Sequence, residues 1–314
     1  MPIDSHSILA RGGADESARI QEHLATLQGD RRNAAYSGLA ATFTLMGIAI
    51  LILARYPEPW SYALAFVVIG LMQYRMVIAC HEVVHKALLY PLWLNESVGA
   101  ALCALLGINL IWYRRQHMAH HAARHISQDT DAYIYEPILA SRPGLRRCAV
   151  WIFGTVPEVV EKLRQKGFTI GTTVHSDAKA RRHSLAIVLV QAALLAMCAS
   201  WLSWWHYFAF WLLPLLTIAV FMNRTRVLVE HGYPHAMRQG TALAEAKVTA
   251  VDLPTNRLER FFVAPYMINY HFSHHQQPSI PFHRLEDLSR LFDQRETASA
   301  SPSYAKALRR ILCE

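Results

Sequence analysis

Charge is scarce in this chain of 314 residues: Asp, Glu, Lys and Arg make up 17% of it while 53% is hydrophobic, against about a quarter charged in an average soluble domain. That balance excludes a disordered chain, which needs low hydrophobicity and high charge. Cysteine is scarce too. Cys80, Cys103, Cys148, Cys198 and Cys313 stand singly, with no Cys-x-x-Cys pair, so no fused iron–sulfur or rubredoxin-like unit is present. They read as small buried hydrophobes in a reducing compartment. No basic run with interleaved aromatics occurs, and the net charge of +8 therefore does not read as nucleic-acid binding. The segment before residue 36 carries acidic residues and no apolar core, so it does not read as a cleavable signal peptide.

What the chain has instead is long apolar runs. Crossing a bilayer takes about 20 such residues, and four stretches qualify: 36–54, 60–80, 185–202 and 204–222. The first two are joined by RYPEP, too short for anything but a hairpin turn, and Trp201, Trp204 and Trp205 crowd the turn of the second pair, as interfacial aromatics do. A fifth run, 97–112, is short for a span and reads as interfacial or re-entrant. If it does not cross, all Lys and Arg except Arg55 and Arg75 lie on one side, which the positive-inside rule makes the cytoplasm. The expected layout is a cytosolic segment 1–35, a hairpin 36–80, a cytosolic or interfacial segment 81–184, a second hairpin 185–222 and a cytosolic segment 223–314.

Seventeen histidines are the other excess, and nine of them fall at the membrane edge of the inferred cytoplasmic side. His81 and His85 (HEVVH) follow the second span at i, i+4. His117, His120 and His121 (HMAHH) follow the short fifth run, His231 follows the fourth span, and His271, His274 and His275 (HFSHH) lie near the C-terminus. On a helix these spacings gather the imidazoles of each box on one face. Neutral imidazole is the commonest nitrogen ligand of first-row metals. Nine are too many for one ion and suit two, at four or five ligands each with positions left open for oxygen or water. His125 and His235, each four residues beyond a box histidine, read as outer hydrogen-bond partners; His6, His23, His175, His183, His206 and His283 read as ordinary surface histidines.

One box admits a rival reading. His81-Glu82-x-x-His85 matches the zinc-peptidase motif, with Glu82 as general base, but a peptidase needs only one further ligand and leaves both His-x-x-His-His boxes idle. Glu82-x-x-His85 is also half of the soluble di-iron bundle pattern, which needs a second Glu-x-x-His; the chain has none.

The motifs HEVVH, YRRQHMAHH with the following DTDAY, VLVEHG, and NYHFSHHQQPSIPFHRL with its Pro-x-x-Pro segment resemble those of the integral-membrane fatty acid desaturases and their hydroxylase relatives, over roughly residues 36–292. The resemblance implies an all-α integral-membrane fold: four transmembrane helices in two hairpins, with a helical cytosolic cap carrying a histidine-rich site. It implies a non-haem di-iron centre held by His81, His85, His117, His120, His121, His231, His271, His274 and His275. Acyl-CoA desaturases of known fold have a ligating Asn four residues before the equivalent of His231, where this chain has Val227. One iron is therefore expected to differ in coordination, with Glu82, Glu230, Asn269, His125 and His235 as candidate outer groups. The implied reaction is oxygen-dependent desaturation of a fatty acyl chain in a membrane. The alternatives are hydroxylation, ketone formation or oxidative decarboxylation of an alkyl or terpenoid chain. With no His-Pro-Gly-Gly segment and no Cys-rich motif, electrons must come from a separate ferredoxin, rubredoxin or cytochrome-type protein.

Overall fold

A computed structural model of the chain describes residues 14–30, 32–162, 177–237, 243–293 and 302–314; His6 and His175 lie outside the described residues. Helix α1 spans Ala14–Gly29, α2 Ala35–Arg55, α3 Pro59–Val84, α4 Leu92–Leu105, α5 Leu110–Ala122, α6 Ala132–Leu139 and α7 Leu145–Phe153. They are followed by α8 Ala178–Trp201, the long α9 Trp205–Ala236, α10 Arg257–Phe262, α11 His271–Gln276, α12 Leu285–Asp293 and α13 Tyr304–Cys313. Among the described residues there is no strand, only the isolated bridges His125 to Lys247 and Asp252 to Tyr270. The fold is all-helical. Helices α2, α3, α8 and α9 are long and apolar enough to cross a membrane.

Burial separates these four. Of the apolar window of α3, 61% is buried, against 22% in α2 and α9 and 0% in α8. So α3 is the central post, and α8 is the most peripheral of the four. Glycine lets α9 lie against α3: a Cβ on Gly70 would stand 2.6 Å from Ile218.

The short fifth run is a broken pair, α4 and α5 meeting at 100°. Gly107 takes the turn at φ +67, a conformation that suits glycine, and Asn109 caps α5 by accepting from the amides of Ile111 and Trp112 at 3.1 and 3.4 Å. The freed carbonyls at the end of α4 meet side chains from inside the neighbouring spans. Gln191 of α8 donates to the carbonyls of Ala104 and Leu105 at 2.8 and 2.9 Å, and Trp211 of α9 donates to Leu105 at 3.2 Å. Broken helix survives in an apolar setting only when its backbone groups are satisfied by protein in this way. The tip of α4 therefore dips to the level of mid-α8 and returns.

Hydropathy ends the fourth span at residue 222, yet α9 continues to Ala236. Arg224 and Arg226 interrupt the apolar run, and both are neutralised inside the protein. Arg224 donates to Glu158 at 2.9 Å from a slot that Gly154 leaves free, and Arg226 pairs with Glu230. Three wide π turns interrupt α9 at Phe208–Leu212, Leu215–Ala219 and Leu228–Gly232. Pro214 lies between the first two and Pro234 two residues past the third; each lacks the amide that a regular helical turn requires.

Candidate metal centre

Four elements converge at the inner end of α3. His81 sits in its last turn and His85 just beyond it, α5 and α11 carry the two His-x-x-His-His boxes, and the last π turn of α9 presents His231. The nine histidines separate into two groups: His81, His85, His117, His121 and His274 in one, and His120, His231, His271 and His275 in the other. Within each, the ligand-capable atoms lie within 4.8 Å of one another.

Helical geometry explains the division. At about 100° per residue, positions i and i+4 differ by about 40° while i+3 falls about 60° to the other side. In α5, His117 and His121 therefore serve the first group and His120 the second, whereas in α11, His271 and His275 serve the second and His274 the first. The expectation of one shared face per box was too simple. Each His-x-x-His-His box straddles both groups while His81 and His85 share the first, and His121 stacks on His275 at 4.1 Å where the groups meet.

The inward atoms are mostly Nε2. His117 Nε2 lies 2.9 Å from that of His85 and 3.0 Å from that of His121, and His274 Nε2 lies 3.2 Å from that of His85. In the second group His231 Nε2 is 2.9 Å and His275 Nε2 3.2 Å from His271 Nε2, with His120 Nε2 3.3 Å from His275 Nε2. Outer nitrogens fix the tautomers. His231 Nδ1 donates to the Thr249 carbonyl at 2.9 Å, His120 Nδ1 to Asp129 at 2.6 Å and His81 Nδ1 to Glu82 at 2.9 Å. With its proton committed outward, each of these rings turns a lone pair inward. Burial also holds His271, His274 and His275 well below the usual histidine pKa and so favours neutral rings. Neutral lone pairs packed nitrogen to nitrogen at about 3 Å repel one another unless a proton or a metal cation lies between them. The donor sets fit two ions of the imidazole-preferring metals, one with five ligands and one with four.

Outer groups hold these rings. Asp129, the first residue of the DTDAY motif, accepts from His120 and, at 2.7 Å, from the Tyr135 hydroxyl. Burial alone raises its carboxyl pKa, but the bond from His120 lowers it further, below the usual range. Glu230 lies 3.5 Å from His271 Nδ1 and is held by Arg226 and by the Tyr304 hydroxyl from α13. Asp252 accepts from the amide of Ser273 at 3.0 Å and from its hydroxyl, seating α11. Asn269 donates to the Leu253 carbonyl at 2.9 Å and secures the same segment.

Other candidates lie further out. His235 contacts the Thr249 hydroxyl at 3.3 Å and stacks on Tyr135, while His125 meets the Glu245 carbonyl at 3.0 Å; neither joins a histidine group. Arg114 pairs with Glu96 at 2.7 Å and donates to the carbonyls of Val83 and Val84, closing the end of α3. Asp129 and Glu82 were visible as acidic neighbours of the boxes. Thr249 and Tyr304 act through tertiary contacts and carry no local signal. A cavity of about 270 Å³, lined in part by His121, His275, Thr249 and Phe272, opens beside both groups.

The family model for fatty acid desaturases matches residues 57–305, a stretch that contains all nine grouped histidines. No curated protein matches the chain.

Proposed function

The chain belongs to the fatty acid desaturase family, and from that premise we propose that it is an oxygen-dependent membrane desaturase placing a double bond in a fatty acyl chain, its two irons held on the cytoplasmic side. The observation that carries this reading is the pair of adjoining all-histidine groups, five donors and four, with the outer nitrogens of His81, His120 and His231 tied to fixed acceptors. Iron bound there supplies the activation of dioxygen needed to break an unactivated C–H bond.

The chain's own residues do the rest. Asp129, Thr249 and Glu82 keep imidazole lone pairs aimed inward, Glu230 stands 3.5 Å from the outer nitrogen of His271, and each group is made of histidines alone. His121 and His275 face the cavity, which admits small molecules to both groups. For each double bond, one dioxygen, two substrate hydrogens, two protons and two electrons leave as two waters. Cysteine pairs being absent from the sequence, the electrons are assigned to a separate carrier protein.

The zinc-peptidase reading of HEVVH accounts for less. Glu82 accepts from the outer nitrogen of His81 instead of facing an open metal position, and five histidines stand where a peptidase needs three ligands. Expression of the full chain in a host lacking the product, followed by mass spectrometry of its lipids, tests the reaction. We expect acyl chains two hydrogens lighter. Chains heavier by one oxygen would replace desaturation with hydroxylation, and an unchanged lipid profile with reduced iron and electrons supplied contradicts both.

A further inference from the structure

Arg75 is a charge inside the apolar helix α3, only 4% exposed. Such residues are costly, and they commonly mark a ligand or a path. Its guanidinium donates to Thr42 Oγ1 at 3.0 Å and to the Phe261 carbonyl, and lies over the Phe261 ring at 3.9 Å. All of these partners are neutral. Arg257 and Arg260 line the same cavity of about 290 Å³, and Arg260 Nε is buried without a hydrogen-bond partner. Among the described residues no carboxylate pairs with any of the three arginines. Glu259, their neighbour in sequence, accepts from the Asn256 amide at 3.0 Å and closes its own helix cap.

The first turn of α2 completes the polar side through Ser37 and Gly38. That helix start has no acidic residue, so its dipole adds partial positive charge, and the Gly38 carbonyl accepts from Arg75 at 3.5 Å. The other walls are apolar: Phe261, Tyr266, Met267 and Phe282. Tyr266 and Met267 both hold left-handed backbone, φ 54 and 56, and the Tyr266 ring packs where a Cβ on Gly38 would stand 3.0 Å away.

We propose that this cavity binds the anionic head, carboxylate or phosphate, of an amphiphile whose tail is the acyl chain. Guanidinium forks match oxyanions, the apolar walls accept the first carbons of a tail, and a ligand of this kind supplies the counter-charge that the protein does not. Arg75 precedes His81 by six residues on α3, about 9 Å along the helix, so the head site stands beside the histidine groups. The identity of the tail rests on the desaturase reading above; the oxyanion site does not.

The test is calorimetric binding of palmitate, methyl palmitate and inorganic phosphate to the detergent-solubilised full chain. Palmitate is expected to bind about tenfold or more tighter than its uncharged ester, as charge-assisted hydrogen bonds dictate, with phosphate alone a weak competitor. Arg257→Gln with Arg260→Gln should remove most of that preference while leaving metal content intact. Because Arg75 also ties α3 to Thr42 and Phe261, its variant is Arg75→Lys, which keeps the charge and loses the fork. Equal binding of acid and ester, or an unchanged preference in the double variant, overturns the site. Phosphate binding as tight as palmitate overturns the amphiphile. Either failure alongside normal lipid products leaves the desaturase reading standing, and the reverse pattern removes that reading alone.

Discussion

His120 Nε2 can face its group only because Asp129 takes the proton of the opposite nitrogen, at 2.6 Å. Removing such an acceptor commonly costs 10- to 100-fold in metal affinity, so Asp129→Ala should weaken iron binding by about that factor, as measured by chelator competition; unchanged affinity would show that Asp129 orients nothing. Proton uptake is the second residue-scale effect. Burial pushes His85 down from 6.5 to about 3, so between those values the unfolded chain binds a proton that the folded chain refuses. Stability of the iron-free protein should therefore fall as pH is lowered from 6.5 toward 3, which thermal melts across that range will register; a flat profile contradicts a neutral buried His85. The nine histidines were legible in the sequence because their spacing is local. Thr249 meets His231 across 18 positions and Tyr304 meets Glu230 across 74, distances at which no periodicity links two residues.

Between elements, the close approach of α4 to the end of α3 determines where His81 and His85 stand. A Cβ on Gly99 would lie 2.1 Å from Val83, which sits between those two histidines. Gly99→Ala must push the helices apart, a cost of about 1–3 kcal/mol for an overpacked contact; a lowered melting temperature and reduced iron in the five-histidine group are expected, and a variant indistinguishable from the parent would refute the tight seat. Four apolar helices and a fifth run too short to cross were readable from apolar length alone, whereas the 100° break in that run was not. The end of the fourth was not, because Arg224 and Arg226 look like the polar edge of a span and their partners Glu158 and Glu230 are known only from packing. The π turns of α9, which deliver His231, were hidden for a related reason: Pro214 and Pro234 mark places where the helix must yield without specifying how.

Across the whole molecule, the small charged fraction and the many histidines divide the work. Apolar helices α2, α3, α8 and α9 form the stem, and α5, α11 and the inner ends of α3 and α9 enclose the histidines. Composition and hydropathy reached that division, as did the family resemblance that the match over residues 57–305 bears out. The assignment of each histidine to one group or the other came only from the fold. That assignment also makes the central claim measurable, since His274 belongs to the five-histidine group and His120 to the other. The measurement is the iron content of the purified full chain and of His274→Ala and His120→Ala, by mass spectrometry of the metal. About two irons per chain are expected, with each variant losing about one and both losing product formation. One zinc per chain, or an active enzyme free of iron, would contradict the account.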